Sequence, residues 1–180
     1  MNINARIEHL MQIPGNIAEC GVWTGQQAMI MANLKSESTN LHLFDTFEGL
    51  PELGVNDQPW HLDEETMVKK GTYAYSLENL KIDMLTSEFK NIIYHKGLVQ
   101  HTAIEDVSQC LFNYVHIDLD LYEGTKFCLN FFYDRLTPLG IISVHDYHVL
   151  PGVGIAVTEF TNERGLSIVN HVDTGVLIYK

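Results

Sequence analysis

Apolar and polar positions along the chain change period several times, and each change marks an element. Residues 2–12 carry Ile3, Ile7, Leu10 and Met11 at helical spacing, and Pro14-Gly15 close that segment. Ile17 to Val22 is an apolar run that predicts a first strand, and Thr24 to Leu34 predicts a helix with Thr24 as its N-cap. After the polar stretch KSESTN, Leu41 to Thr46 predicts a second strand. The helix–strand rhythm then resumes at Ser76. Helical patterns over Ser76 to Phe89, Thr102 to Cys110, Glu123 to Leu136 and Gly152 to Asn162 alternate with strands over Asn91 to Lys96, Asn113 to Asp120 and Ile141 to Tyr147. Two final apolar runs, LSIVNHV and GVLIYK, flank Asp173-Thr174-Gly175, a turn sequence that favours a hairpin.

Residues 47–75 break the rhythm. They are too many for an ordinary strand-to-helix loop, and inserts of this kind in compact domains are usually binding loops or lids. The segment LDEETMVKK inside it predicts a helical turn or two, and a partly mobile lid over a site is the expectation. Trp60, His61 and the acidic Asp63, Glu64 and Glu65 belong to it.

Alternating strands and helices imply an α/β fold, a mostly parallel sheet wrapped by helices on both faces. Seven strands are expected, the last antiparallel, in one domain spanning residues 1–180. In such sheets a ligand lies at the carboxyl ends of the strands, near the point where strand order reverses. Glu19, Asp45, Gly97, Asp118, Asp120, His145 and Asp146 all fall at those ends.

Bulk properties narrow the partners. With 46% hydrophobic residues the chain can bury a core, and its formal net charge of −12 argues against nucleic acid and anionic membrane surfaces. Cys20, Cys110 and Cys128 are isolated, without C-x-x-C spacing, which fits a reducing cytoplasm. No apolar run reaches the ~18 residues of a membrane span, and MNINARIEHL resembles neither a signal peptide nor a transit peptide.

The stretch IAECGVWTG carries the first chemical signal. A strand enters a glycine turn and a helix follows, so backbone N–H groups and bare backbone face one place. A dinucleotide loop would read G-x-G-x-x-G. Here the pattern is E-x-G-x-x-x-G, which suits a ligand with a positive charge and a ribose, such as S-adenosylmethionine, better than a pyrophosphate. Asp45, at the end of the second strand, is placed to take both ribose hydroxyls; a turn cap is its alternative. His116 reads as a sheet-face residue, His148 as a minor base candidate, and His42, His95 and His171 as strand residues without a role.

The blocks AECGVWTG, LFDTFEGLP, HIDLDLYEGT and VHDYHVLPGV, in this order, resemble the macrocin O-methyltransferase family from about Gly15 to Lys180. The resemblance implies a Rossmann-like class I methyltransferase fold, S-adenosylmethionine as methyl donor and a small hydroxylated acceptor, a sugar or natural product. It places Glu19, Cys20, Gly21 and Gly25 at the methionine end of the donor and Asp45, Thr46 and Phe47 at the ribose, and it counts Asp118 among the donor-binding residues. Gly97 and Leu98, with Ser76 beside them, fall near the adenine; for Ser76 an N-cap role is the alternative. It implies Mg²⁺ or another divalent metal at Asp118 and at an acidic pair after the fifth strand. That pair is His145-Asp146 here, so His145 is either a ligand or the general base, and Asp118 and His145 are the candidate catalytic residues. Asp120 either shares the metal or orients Asp118. The competing expectation is a cofactor-binding protein without catalysis, resting on His145 and on the short stretch before the first block. A homo-oligomer in which a neighbouring copy completes the site is also open.

Overall fold

The computed structural model describes residues 9–10, 13–57, 69–85, 89–170 and 174–180. The expected helix over 2–12 and the turns of LDEETMVKK lie largely outside the described residues, as do His171 and Asp173 of the final turn.

The strands are β1 (Asn16–Cys20), β2 (Leu41–Asp45), β3 (Ile92–Lys96), β4 (Phe112–Ile117), β5 (Leu136–Val144), β6 (Val169–Asn170) and β7 (Val176–Tyr179). The helices are α1 (Gln26–Leu34), α2 (Leu77–Leu85), α3 (Val99–Val107), α4 (Tyr122–Arg135) and α5 (Pro151–Arg164). The strands form one sheet in the order β3-β2-β1-β4-β5-β7-β6, with β7 antiparallel to both β5 and β6 and every other pairing parallel. The expected hairpin is present, and order reverses between β1 and β4.

Alternation along the strands sorts side chains to two cores. Ala18, Cys20, Phe44, Val115 and Ile142 pack under α3, α4 and α5. Ile17, Leu41, Leu43 and Ile141 pack under α1 and α2. Helices therefore cover both faces, and all of β4 is buried.

Several boundaries differ from the sequence pattern for identifiable reasons. β4 stops at Ile117 because the Asp118 N–H makes the last rung to Cys20 O (2.8 Å), and Asp120 then turns the chain at φ 62. Thr24 is not the cap of α1. Gly25, at φ 79, takes that position, and a Cβ there would sit 2.4 Å from Leu80 Cδ1. β5 begins at Leu136, five residues early. Leu136 pairs with Phe112, Pro138 to Gly140 loop out of register, and Ile141 rejoins opposite Tyr114. α5 opens on Pro151 and closes on Gly165 in the left-handed region, as those residue types favour.

Candidate functional site

The loop after β1 is shaped by close approach. Gly21 sits at φ 88, and a Cβ on it would lie 1.9 Å from Asp118 O. Only glycine lets the β1 and β4 ends touch in this way. Asp45 then gathers the loop: Oδ2 accepts from the N–H groups of Val22 (2.7 Å) and Trp23 (3.1 Å), and Oδ1 from Phe47 N–H (2.7 Å). Trp23 and Phe47 are both held at positive φ, 46 and 57. The carboxylate occupies N–H groups that a phosphate would need.

A cavity of about 540 Å³ opens at these strand ends. Glu19 lies in its wall, 2% exposed, with Oε2 lacking a hydrogen-bond partner among the described residues. Burial, then the charges of Asp118 and Asp45, push its carboxyl well above the usual range. An unpartnered buried oxygen facing a cavity is suited to a cation or an N–H donor from a ligand.

The other end of the cavity is acidic. His145 Nδ1 lies 3.2 Å from Asp118 Oδ1 and 3.0 Å from Asp146 Oδ2, ion-pair distances without hydrogen-bond alignment. These two carboxylates, Asp118 first, stabilise the imidazolium and push His145 up to about 10. Burial alone would raise Asp146, but His145 and the Thr174 hydroxyl, which donates to Asp146 Oδ1 (3.0 Å), outweigh it and hold the carboxyl below its usual range. Thr174 comes from the turn before β7, so the hairpin reaches the site. Burial and the charges of Asp118 and Asp146 push Asp120 up to about 7. Asp118, His145 and Asp146 each present one ligand atom, all within 4.8 Å of one another, a spacing that fits one divalent cation.

The long insertion builds a wall. Its ends pair through Leu50 N–H to Thr72 O and Gly71 N–H to Leu50 O, both 2.9 Å. Gly49, Leu50, Pro51, Glu52, Gly54 and Tyr73 line the cavity. Asp57 anchors that wall from beneath. Buried at 7% exposure, it accepts from Tyr122 N–H at the start of α4 (2.7 Å) and from Gly54 N–H (2.9 Å). Gly152 in α5 leaves it room, since a Cβ there would meet Asp57 Oδ1 at 2.2 Å. Trp23 and Tyr73, each about half exposed, meet edge to face at 5.6 Å in the cavity wall.

Of the residues singled out in the sequence, Glu19, Gly21, Asp45, Thr46, Gly97, Leu98, Asp118, His145 and Asp146 line this one cavity. Cys20 and Phe47 do not: their side chains are buried in the two cores. Gly25 lies behind the loop against Leu80. Ser76 stands outside the lining and caps α2, its hydroxyl accepting from Asn79 N–H (3.2 Å). Trp23, Tyr73 and Asp57 were missed. An aromatic directly after the glycine turn is a readable signal for Trp23; Asp57 carries none, because its partner is 65 residues away. His42 and His95 also have an unforeseen arrangement. They stack and join Nδ1 to Nε2 at 3.0 Å, and His95 Nδ1 meets Asp106 Oδ2 at 2.6 Å, a chain from two buried rings to an exposed carboxylate that is not part of the cavity lining.

A parallel sheet with an antiparallel β7, a glycine turn between β1 and α1, and a cavity at the switch point define a Rossmann-like class I methyltransferase fold. The solved O-methyltransferase NovP matches 98% of this chain and 78% of its own at a TM-score of 0.80 and 19% identity. The calicheamicin methyltransferase CalS11 covers 98% and 77% at 0.76 and 21%; its apo structure is described as a TDP-rhamnose 3'-O-methyltransferase. The profile of the macrocin O-methyltransferase (TylF) family matches residues 2–180, and the chain belongs to that family. It is 26% identical over 164 residues to the 8-demethyl-8-(2,3-dimethoxy-alpha-L-rhamnosyl)-tetracenomycin-C 4'-O-methyltransferase of Streptomyces olivaceus, covering 86% of this chain and 61% of that enzyme. The chain thus spans about three fifths of the length of the curated relatives it matches.

Proposed function

We propose that this protein transfers a methyl group from S-adenosylmethionine to a hydroxyl of a sugar-bearing natural product, as one domain working in the cytoplasm. Family membership supports the reading, and so do the acceptors named for its relatives: a rhamnosyl tetracenomycin for one and TDP-rhamnose for another. One observation carries it. The unpartnered Glu19 Oε2 and the Asp118–His145–Asp146 group meet in a single cavity, a place for a cationic donor beside a place for an activated oxygen.

Glu19 faces the charged methionine end of the donor, Gly21 lets the donor lie against backbone, and Gly97 and Leu98 border the adenine. Asp45 holds the loop shape that presents these groups. Asp118, His145 and Asp146 would hold a divalent cation, which would lower the pKa of a nearby hydroxyl. His145 is an imidazolium at neutral pH while its two carboxylates face it, so it serves as a ligand once its proton has left rather than as the base. Asp120, poised at about 7, takes the acceptor's proton on a carboxylate oxygen. The chain's further work is positioning: the insertion wall and the β4 loop hold the acceptor oxygen in line with the methyl group.

Calorimetry with S-adenosylhomocysteine comes first, and no binding at about 1 mM would sink the reading. Labelled methyl transfer to hydroxylated acceptors follows, with and without EDTA. Asp118→Ala is expected to lower turnover by ~100-fold or more while leaving S-adenosylhomocysteine binding within about threefold. Turnover that survives EDTA would instead favour a metal-independent route through Asp120.

A further inference from the structure

We infer that the His42–His95–Asp106 chain positions the nucleoside end of the donor site: it ties α3 to the β2–β3 edge of the sheet and so holds Leu98, Val99 and Gln100 at the cavity border. The inference rests on the methyltransferase reading above for what that border binds. The chain itself stands on the geometry of two rings and a carboxylate.

β3 stands at the edge of the sheet, beside β2, and runs straight into Gly97 and Leu98; α3 starts at Val99. Leu98, Val99 and Gln100 line the cavity, and the Gly97 N–H donates to Asp45 O (3.0 Å). The shape of this corner therefore depends on how α3 lies on the sheet. α3 has no side-chain cap at its start and packs through Val99, Ala103 and Val107. Apolar contact of that kind has no direction, whereas a hydrogen bond fixes a distance and an angle. Asp106, in the last turn of α3, supplies such a bond by meeting His95 Nδ1. The sheet holds the other side: His95 stacks on Phe44 at 4.2 Å, and His42 meets Phe112 in a T-shaped contact at 5.6 Å.

The order of protons along the chain follows from what each partner can do. An ionised carboxylate only accepts, so His95 Nδ1 carries a hydrogen toward Asp106. The bare Nε2 of a neutral His95 then accepts from His42 Nδ1–H. This leaves His42 Nε2 as an unprotonated nitrogen, and that atom is buried with no hydrogen-bond partner among the described residues. The reverse order, with a hydrogen on His95 Nε2, would put the His42 hydrogen on Nε2. A buried N–H would then lack an acceptor, the costlier orphan of the two. Both rings are therefore Nδ1–H tautomers, and the chain points one way, from β2 through β3 to α3.

That order makes the three residues one unit. With no acceptor at position 106, the His95 proton moves to Nε2, where it faces His42 and forces the second ring to change with it. The change thus travels from α3 to β2, the strand that ends in Asp45 and its hold on the β1 loop. An amide at 106 keeps an accepting oxygen and the original order. None of the three residues lines the cavity, so the chain acts through α3 and β2 and not by touching the donor.

The test uses the full chain near neutral pH. Proton–nitrogen NMR of the imidazole rings is expected to show His42 and His95 both as Nδ1–H tautomers. Asp106→Leu is expected to weaken S-adenosylhomocysteine binding about tenfold by calorimetry, and to speed hydrogen exchange over residues 98–103 while leaving α5 unchanged. Asp106→Asn is expected to stay within about threefold of wild type in both measurements, a rescue that a merely space-filling role for the side chain would not separate from the Leu variant. Nε2–H rings in the wild type, unchanged binding in Asp106→Leu, or equal losses in the two variants overturn the inference. Absence of S-adenosylhomocysteine binding by the wild type counts against the methyltransferase reading alone, and the ring spectra and exchange rates then decide whether the chain holds α3.

Discussion

Gly21 shows how a single residue sets the site. Its missing side chain lets the β1 loop rest on Asp118, the residue proposed to hold the cation. Gly21→Ala is expected to destabilise the protein by about 2–3 kcal/mol, read from urea unfolding, and to abolish S-adenosylhomocysteine binding. The E-x-G pattern made Glu19 and Gly21 legible in the sequence, because a strand-to-helix glycine turn has a local signature. The charge states around them were not legible. Asp120 has an ordinary sequence setting, and only the approach of Asp118 and Asp146 together with burial lifts it to about 7. Its folded pKa lies above the usual carboxylate value of about 3.9, so the folded state holds its proton more tightly. Its contribution to stability is therefore present at low pH and is lost as pH rises from about 4 through 7. In metal-free protein Asp120→Asn should raise the melting temperature at pH 8 and leave it unchanged near pH 3; an equal gain at both pH values would remove electrostatics as the cause.

Among the elements, α4 depends on a cap that its own sequence does not supply. Leu121 precedes it with no side-chain hydrogen bond, and Asp57 from the insertion takes the Tyr122 N–H instead. Asp57→Ala is expected to cost about 2–3 kcal/mol, and Asp57→Asn, which keeps an accepting oxygen, about half of that. Because the same carboxylate ties Gly54 to α4, Asp57→Ala should also weaken acceptor KM more than donor binding. Equal melting temperatures for the two variants would argue against the cap. The β2–β3 edge carries a second element-scale effect. Burial, then the facing His95, pushes His42 down to about 4, below its usual value near 6.5. The neutral ring is the folded form, so this stabilisation is present above about 6.5 and is lost as pH falls toward 4. His42→Phe should flatten the loss of thermal stability across that window. Element types followed from periodicity, while ends such as β4 at Ile117 and the out-of-register start of β5 were decided by which rungs the neighbouring strand offers.

Across the whole molecule, the sheet order brings the ends of β1, β2, β4 and β5 to one cavity and lets Thr174, from the far hairpin, hold Asp146. Under the proposed cation reading, binding of the metal would be coupled to proton release. His145 carries a proton in the metal-free protein up to about pH 10, and a ligating nitrogen must lose it. Mn²⁺ affinity, followed by thermal shift or calorimetry, is expected to rise by up to ~10-fold per pH unit between pH 7 and 9, and His145→Asn should flatten that slope. The same pair of carboxylates gives metal-free protein a stability term with the opposite trend. It is fully present below about 6.5 and is lost as pH rises through about 10.

By itself the sequence determined the alternation of strands and helices, the glycine turn after β1, the closing hairpin and the polar residues at strand ends, since each of these has a local or ordered signature. Tertiary structure alone decided the rest. It turned Cys20 and Phe47 into the cores, occupied Asp45 with the loop's own N–H groups, and placed Asp57 under a helix far along the chain. It also stood Trp23 against Tyr73 across the cavity wall. Those outcomes depend on which distant atoms come within a few ångströms, and no spacing along the chain encodes that distance.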